Sequence, residues 1–231
     1  MKAMILAAGY GKRLRPLTDI TPKPLLKVAG KPLLQHHIER LAAVGITDLV
    51  INISWLGDQI EDYFGDGSDF GVQIHWSRES QPLETGGGIA KALPLLGNAP
   101  FLLLNGDVWT DFSFDTIDVS LVGQRFDAWL LLVKNPDHNP HGDFALSDKV
   151  VSFADRSDYT FSGISLVRPA LFADYQSKHP GQQTFRWLDV VAPALDSGRV
   201  AGQAFTGQWW DVGTVERYQQ LNRHLSCHPD K

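Results

Sequence analysis

The sequence predicts a three-layer α/β/α fold built on a mixed, mostly parallel central sheet. Three observations support this prediction: apolar strand-like runs alternate with amphipathic helical segments in the first half, the connections between them are short, and strands predominate in the second half. The chain has 231 residues, of which 43% are hydrophobic, which is enough for one sizeable core. We therefore expect a single domain over residues 1–231, composed of two halves, 1–111 and 112–231.

The first half alternates strand and helix. The apolar run at 2–9 ends in glycine, which predicts a buried strand. Leu34, Ile38 and Leu41 then recur at helical spacing, and Gly45 ends that helix. The same periodicities predict strands at 48–54, 72–79 and 100–107 and helices at 56–64 and 85–96. Short connections in this order are typical of a parallel sheet with helices on both faces.

Strands predominate in the second half, and fewer helices separate them. The predicted strands are 127–135, 142–148, 150–155, 160–167 and a strand-like stretch at 201–213, with helices near 186–196 and 214–225. We expect these strands to continue the sheet of the first half, which makes the whole sheet mixed.

Loops rich in glycine and polar residues follow three of the predicted strands, at 9–27, 79–88 and 105–111. In an open parallel sheet, ligands bind outside the carboxyl ends of the strands. Because these three loops all follow strand ends, we expect them to meet at one edge and to form a ligand site there.

The first of these loops concentrates positive charge. A Gly-x-Gly turn at 9–11 is followed at once by Lys12, Arg13 and Arg15, with Lys23 after a proline-bounded bend. The spacing fits neither a P-loop nor a dinucleotide fingerprint. Backbone N–H groups together with two or three cations nevertheless suit a triphosphate. The alternative is that this basic loop is simply exposed to solvent. The position of the loop at the ligand edge of the sheet favours a phosphate site instead.

Composition excludes several classes of protein. The formal net charge is −5, from 21 Lys and Arg against 26 Asp and Glu, so general nucleic-acid binding is not expected. The single cysteine, Cys227, can build neither an internal disulfide nor a cysteine metal site, which suits a reducing compartment. No run approaches the roughly 18–20 apolar residues of a membrane span, and the first residues do not match a secretory signal. We expect a cytoplasmic protein with no membrane partner.

Five motifs then carry a resemblance to a known family. They are LAAGYGKRLRPLT with PKPLLKVAGKPLL from residue 6, QPLETGGG at 81–88, LLLNGD at 102–107, SFADR with FSGISL in 152–166, and WWDVGT at 209–214. In this order they resemble the sugar-1-phosphate nucleotidyltransferases, over residues 3 to about 220. The resemblance implies a Rossmann-like fold, with nucleotide bound by residues 1–111 and sugar by 112–231. It also implies the family reaction, in which a nucleoside triphosphate and a sugar 1-phosphate give a nucleotide sugar and pyrophosphate.

Within the family, the chain is most similar to short uridylyltransferases that act on N-acetylmuramic acid 1-phosphate in peptidoglycan recycling. The implied substrates are therefore UTP and that sugar phosphate, and we expect no β-helix acyltransferase domain after the last motif. Other pairings within the family stay open: glucose, N-acetylglucosamine or mannose 1-phosphate with UTP, dTTP or GTP. A glycosyltransferase of related fold and a non-catalytic regulatory relative are further alternatives. The first has no use for cations on a leaving pyrophosphate, and the second tends to lose the phosphate-loop arginine or the metal carboxylates.

The resemblance assigns nucleotide-binding roles. Arg13 is implied to hold the β- and γ-phosphates, and Lys23 to contact the α-phosphate, where charge develops. A glutamine side chain can pair with both a donor and an acceptor of a pyrimidine, and a glycine lets backbone come close, which favours uracil or thymine at Gln81 and Gly86. The alternative there is a polar turn before the helix. The predicted nucleotide-binding residues are Ala8, Gly9, Gly11, Lys12, Arg13, Lys23, Gln81 and Gly86.

Two aspartates are predicted to hold Mg²⁺. Asp107 ends the fourth strand in NGD, and Asp211 lies in WWDVG. Carboxylates are the hard oxygen ligands that Mg²⁺ prefers, with phosphates and water completing an octahedron. The alternative for each is a helix cap or turn, and the surrounding family motifs favour ligation. Arg13, Lys23 and Asp107 are the predicted catalytic residues.

The sugar side is assigned by the same resemblance. Asn105 and Gly142 are implied to hydrogen-bond the ring, while Asp155 and Arg156 stand where relatives carry Glu-Lys, so that Arg156 would grip the sugar phosphate. N-acetylmuramic acid also carries a lactyl carboxylate, which needs a cation or a donor. Arg186, at the start of a predicted helix, is our choice among the candidates Arg156, Arg168, Arg186 and Arg199.

Overall fold

The computed structural model describes residues 1–154 and 157–227. Within them, in chain order, the strands are β1 (Ala3–Leu6), β2 (Lys27–Val28), β3 (Lys31–Pro32), β4 (Asp48–Ile53), β5 (Gln73–Arg78), β6 (Phe101–Asn105), β7 (Val108–Thr110), β8 (Ala128–Lys134), β9 (Ala145–Ser147), β10 (Val150–Ser152), β11 (Tyr159–Val167), β12 (Val200–Phe205) and β13 (Trp209–Asp211). The α-helices are α1 (Leu33–Ala43), α2 (Gly57–Phe64), α3 (Glu84–Leu96), α4 (Ala170–Lys178), α5 (Trp187–Asp196) and α6 (Val215–Ser226).

One mixed sheet spans both halves of the chain. Among the described residues its strand order is β5-β4-β1-β6-β11-β8-β12-β10-β9. The four strands from β5 to β6 are parallel, and β8 and β12 are parallel to each other. β11 runs antiparallel to both β6 and β8, and β10 antiparallel to β12 and β9. Within this sheet all strands except β11 and β10 therefore point the same way, which confirms the predicted mixed, mostly parallel sheet.

Successive residues of the parallel strands point to opposite faces and enter two separate cores. On one face, Ile5 packs with Leu34 and Ile38 of α1 and with side chains of α2. On the other face, Met4 packs with side chains of α3, α4 and α5, including the fully buried Val191. Helices cover both faces of the sheet, and the strands are therefore apolar on both sides, as is typical of parallel sheets. The helices on one face, the sheet and the helices on the other face form the three layers of the fold.

A small ribbon lies beside the main sheet. β7 and β13 pair antiparallel, with Asp211 opposite Val108. Helix α6 covers this ribbon and the β2–β3 hairpin, with Leu221 buried against Trp109 and Val212. The ribbon therefore carries residues from the end of the chain to the carboxyl end of β6.

Most predicted elements are present, with ends shifted by a few residues, and three differences have physical causes. The stretch 201–213 is two strands, since β12 pairs with β8 in the sheet whereas β13 leaves it to pair with β7. Helix α4 was not predicted, because Phe172 is its one fully buried apolar residue and its apolar periodicity is weak. The β2–β3 hairpin was not predicted, because its strands have only two residues each and are too short to show an alternating apolar pattern. No helix in the two described ranges is long and apolar enough to cross a bilayer.

Candidate active site

A cleft of about 410 Å³ opens at the carboxyl ends of β1, β4, β5 and β6. Its walls come from the loop after β1, the start of α3 and the turn after β6, so the three loops that the sequence predicts to converge do so. Six of the predicted nucleotide-binding residues and two of the other predicted site residues line it: Ala8, Gly9, Gly11, Lys12, Arg13 and Lys23, with Asn105 and Asp107.

The first loop is shaped by Gly11. Its φ of +63° lies in the left-handed region, and a Cβ there would meet Thr18 Cγ2 at 2.8 Å. The buried Thr18 hydroxyl donates to the Gly11 carbonyl at 2.8 Å, which closes the turn from behind. Arg13 follows with its side chain exposed and facing the cleft, whereas Arg15 lies outside the cleft lining and pairs with Asp19 at 3.0 Å. The loop therefore directs one arginine into the cleft and the next away from it.

Lys23 and Asp107 form an ion pair on the cleft floor. Lys23 Nζ lies 2.6 Å from Asp107 Oδ2, and the lysine side chain is only 13% exposed. Burial alone would raise the pKa of the Asp107 carboxyl, but Lys23, with a smaller contribution from Arg13, holds that pKa below its ordinary value. Asp107 is therefore ionised at neutral pH, and its negative charge is stabilised electrostatically by both Lys23 and Arg13.

Asp211 lies next to Asp107 because of the β7–β13 ribbon. The Val212 amide donates to the Asp107 carbonyl at 2.8 Å. One Asp211 oxygen, Oδ2, is approached by Arg217 Nη1 at 3.3 Å and by His138 Nε2 at 3.5 Å. The other, Oδ1, is buried and has no hydrogen-bond partner among the described residues. Asp211 is not part of the cleft lining, and its link to Asp107 is the Val212 backbone contact. An unpartnered buried carboxylate oxygen is nevertheless the kind of ligand that a hard divalent cation prefers.

His138 and Arg217 were not predicted. His138 stacks on Trp209 with ring centroids 6.4 Å apart, and burial, together with Arg217, lowers the pKa of its imidazole. Arg217 is 15% exposed, and its guanidinium fills the space next to Gly213 at the cleft wall. Neither residue lies in a family motif, so the sequence offered no signal beyond the proximity of Arg217 to WWDVG.

The glycines of α3 have separate packing reasons. Gly86 N–H donates to the Phe185 carbonyl at 2.9 Å, and a Cβ on Gly86 would meet Phe185 and the Arg186 backbone at 2.5 to 2.9 Å. Gly87 similarly faces the Gln183 carbonyl. The close backbone approach expected at Gly86 is thus made by the segment before α5, and neither Gly86 nor the exposed Gln81 belongs to the cleft lining. Their contact with the base stays a prediction.

On the sugar side the predicted residues are not brought together. Asn105 lines the cleft and lies against Gly163, at a bulge of β11 where φ is +83°. Gly142 sits in a turn packed on Asn135, outside the cleft lining. Asp155 and Arg156 lie outside the described residues. The roles of these residues stay predictions.

Arg186 caps α5 instead of standing free. Its guanidinium donates to Asp189 through Nε at 3.3 Å and Nη2 at 2.6 Å, and the Asp189 carboxylate accepts the Arg186 backbone N–H at 3.0 Å. The side chain is two-thirds exposed. Two of the other candidate arginines, Arg168 and Arg199, both pair with Asp127. Of the described candidates, only Arg186 adjoins the start of α3 and hence the cleft.

Two further cleft residues escaped prediction, Asn52 and Glu79. Asn52 accepts from the Ala7 amide at 2.8 Å and donates to Glu79 at 2.7 Å, and both side chains are buried. A signal was available, because Asn52 is a polar residue inside an otherwise apolar strand.

A cationic cleft with a glycine turn at the carboxyl ends of parallel strands, lined by the Lys23–Asp107 pair, defines a nucleotide-binding α/β/α protein. The nucleotidyl transferase family matches residues 2–227, and the chain belongs to this family.

Relatives with known names support the same assignment. The chain is 49% identical over 226 residues to the N-acetylmuramate alpha-1-phosphate uridylyltransferase of Neisseria meningitidis serogroup B, covering 95% of this chain and 96% of that protein. It is 33% identical over 225 residues to the protein of the same name from Caulobacter vibrioides, covering 91% of each. The chain is thus an enzyme of the transferase class, and its relatives are sugar-1-phosphate nucleotidyltransferases.

Solved structures show the same fold. A crystal structure described as a glucose-1-phosphate thymidylyltransferase from Bacillus anthracis superposes with a TM-score of 0.88 at 24% identity, covering 97% of this chain and 94% of that one. A UDP-glucose pyrophosphorylase complexed with UDP-glucose superposes with a TM-score of 0.80 at 21% identity, covering 98% of both chains. At these identities the likeness concerns the fold, and it confirms the predicted Rossmann-like architecture.

Proposed function

We propose that the chain transfers UMP from UTP to N-acetyl-α-muramic acid 1-phosphate, forming UDP-N-acetylmuramic acid and pyrophosphate. The observation that carries this proposal is the 49% identity to an enzyme of that name over 95% of the chain. The basic loop, Lys23 and Asp107 of the cleft, and Asp211 on the adjoining β7–β13 ribbon, support it, because each has a use in this reaction.

In this reaction an oxygen of the sugar phosphate attacks the α-phosphorus of UTP, and the bond to the β-phosphate oxygen breaks. A phosphate monoester is already a competent nucleophile, so the protein has to align two anions and neutralise their charge. Lys23, on the cleft floor, is suited to the α-phosphate, and the exposed Arg13 to the β- and γ-phosphates that leave as pyrophosphate. The backbone N–H groups at residues 8–11 supply further donors.

Asp107 and Asp211 would hold Mg²⁺, the divalent cation we propose as cofactor. When bound, Mg²⁺ supplies positive charge that neutralises phosphate oxygens. Among the described residues no cluster of three or more His, Cys, Asp or Glu side chains is arranged for a metal, so the two aspartates would leave the remaining coordination positions to phosphate and water. Lys23 has a second use here, since it holds Asp107 ionised before substrate arrives.

We place the reaction in the cytoplasm and in peptidoglycan recycling, where the sugar phosphate would be reclaimed. The muramic substrate named for the 49% identical relative supports the recycling role. The single cysteine, which suits a reducing compartment, supports the cytoplasm.

A substrate panel tests the proposal. Purified protein is incubated with UTP, dTTP, CTP or GTP and with the 1-phosphates of N-acetylmuramic acid, N-acetylglucosamine, glucose or mannose. Pyrophosphate release and the nucleotide sugar, identified by mass spectrometry, are measured. We expect the highest kcat/KM with UTP and the muramic substrate. Higher kcat/KM with another pair would reassign the substrate, whereas sugar transfer from UDP-sugars without pyrophosphate would indicate a glycosyltransferase.

Matched lysine variants serve as controls in the panel. Lys23→Ala removes the cation of the cleft floor and should abolish turnover. Lys27→Ala removes an exposed lysine four residues further on, outside the cleft, and should leave turnover unchanged.

A further inference from the structure

A buried chain of hydrogen bonds crosses the back of the cleft. The Ala7 amide donates to Asn52 Oδ1 at 2.8 Å, and Asn52 Nδ2 donates to Glu79 Oε1 at 2.7 Å. Glu79 Oε2 then accepts the Leu83 amide at 3.0 Å. Ala7 begins the loop between β1 and β2 (residues 7–26), which we call the phosphate loop, and Leu83 precedes α3 at another wall of the cleft. These hydrogen bonds thus join two walls of the cleft that lie far apart in the sequence, at residues 7 and 83.

The surroundings show that this contact is built closely into the fold. Asn52 and Glu79 are 4% and 6% exposed, and both line the cleft. A Cβ on Gly88 would meet Glu79 Oε1 at 2.7 Å and Asn52 Nδ2 at 2.8 Å, so helix α3 can lie on this pair only because residue 88 is glycine. A buried carboxylate that accepts two donors is directional and strong, since neither donor has water as an alternative.

We propose that Asn52 and Glu79 are positioning residues, which hold the phosphate loop and the wall at residues 82–85 at a fixed separation for the nucleotide. This inference rests on the proposed function, because it takes UTP as the ligand that spans both walls. A ligand whose ends contact two separate walls binds best when their separation is set beforehand. The pair therefore contributes to the affinity for the intact nucleotide more than to that for either of its parts.

Glu79→Gln is the most selective variant. Glutamine keeps the size of the side chain but replaces one acceptor oxygen by an NH₂ donor, so one of the two donors, Asn52 Nδ2 or Leu83 N–H, loses its acceptor. Asn52→Ala breaks the chain at its centre. If the two residues act through one another, the double variant should weaken UTP binding little more than the stronger single variant.

The experiment compares whole and partial ligands. The Kd of UTP and the inhibition constants of tripolyphosphate and of uridine are measured for wild type, Glu79→Gln, Asn52→Ala and the double variant. For Glu79→Gln we expect UTP to bind about tenfold more weakly, the size of effect of one charge-assisted hydrogen bond. Tripolyphosphate and uridine should each change less than about twofold, as should the KM for the sugar phosphate.

Asp127→Asn is the control for lost stability. It weakens the pairs with Arg168 and Arg199 on another part of the molecule and should lower the Tm without changing the UTP Kd. An unchanged UTP Kd in Glu79→Gln would overturn the inference, and so would a tenfold loss for uridine alone, which would make Glu79 a direct base contact. A wild type that does not bind UTP would overturn the proposed function itself, whereas a wild type that binds UTP no better than its variants would overturn only this inference.

Discussion

At the scale of single residues, Arg13 offers the sharpest test of the phosphate loop. Removing it in Arg13→Ala should take away one clamp on the leaving pyrophosphate, worth about 2–4 kcal/mol, or about 10²–10³ in kcat. The Tm should not change, because the side chain is exposed. Arg15→Ala, two residues on and outside the cleft, is the matched control. Near-normal turnover of purified Arg13→Ala would contradict the assignment of the loop.

Asp107 and Asp211 are expected to act as one unit. Asp107→Asn and Asp211→Asn should each abolish Mg²⁺-dependent turnover, and the double variant should be little worse than either, because residues that act on one ion do not contribute additively. Turnover against Mg²⁺ concentration and direct Mn²⁺ binding are measured. Asp111→Asn, just past β7 on the same ribbon, keeps its acceptor oxygen for Gln208 N–H and should behave as wild type. Losses that multiply, or activity that persists in EDTA, would refute a shared ion.

Arg186 is the residue on which the sugar preference should depend. Asp189 occupies two of its five N–H donors, which leaves donors for a lactyl carboxylate. A paired carboxylate worth about 2 kcal/mol would favour the muramic substrate over N-acetylglucosamine 1-phosphate about 30-fold in kcat/KM. Arg186→Ala should remove most of that preference, and Arg199→Ala should keep it. Equal use of both sugars by wild type would indicate a general hexosamine enzyme.

At the scale of the element, the phosphate loop depends on its glycine turn. Gly11→Ala adds a Cβ at φ +63° that would also meet Thr18 at 2.8 Å, so the loop has to shift. We expect a loss of about 1 kcal/mol or more in the free energy of unfolding and about a tenfold rise in the KM of UTP. Gly45→Ala carries the same kind of backbone penalty at φ +77° with open space around it. That control should lose stability in urea unfolding while its KM stays unchanged; a matching KM rise in both variants would contradict the role of the loop.

At the scale of the whole molecule, stability should fall between pH 7 and pH 5. Burial, with a contribution from neighbouring His36, lowers the pKa of His37 from 6.5 to about 4. Between these two pH values His37 is protonated in the unfolded chain but stays neutral in the folded chain. The stability is full above pH 6.5 and is lost progressively down to about pH 4, a total of about 3 kcal/mol. The lowered pKa values of Asp107 and Asp127 act only below their ordinary 3.8 and lie outside this window.

Urea unfolding at pH 5, 6 and 7 checks this pH dependence. His37→Gln should flatten most of the slope, leaving smaller shares to His36 and His138, whose pKa values burial also lowers. His141→Gln, at an exposed imidazole, should retain the wild-type slope. An unchanged slope in His37→Gln would show that other groups take up the proton.

The sequence by itself determined the architecture and the edge at which the cleft forms. Periodicity of apolar residues is a local property, and it was sufficient for the alternating elements of the first half because each parallel strand is apolar on both faces. The position of the Gly-x-Gly loop after β1 followed from the order of these elements. Helix α4 escaped because it buries a single large apolar side chain.

Only the tertiary structure decided which distant residues meet. Asp211 reaches Asp107 because β13 leaves the main sheet to pair with β7, and Gly86 turns out to face Phe185. The buried link from Asn52 to Glu79 likewise depends on how α3 lies over two strands. Such contacts join residues tens of positions apart in the sequence, and the local periodicity of apolar residues cannot predict them. They are set by the requirement that buried polar groups find partners once the sheet and its helices have packed.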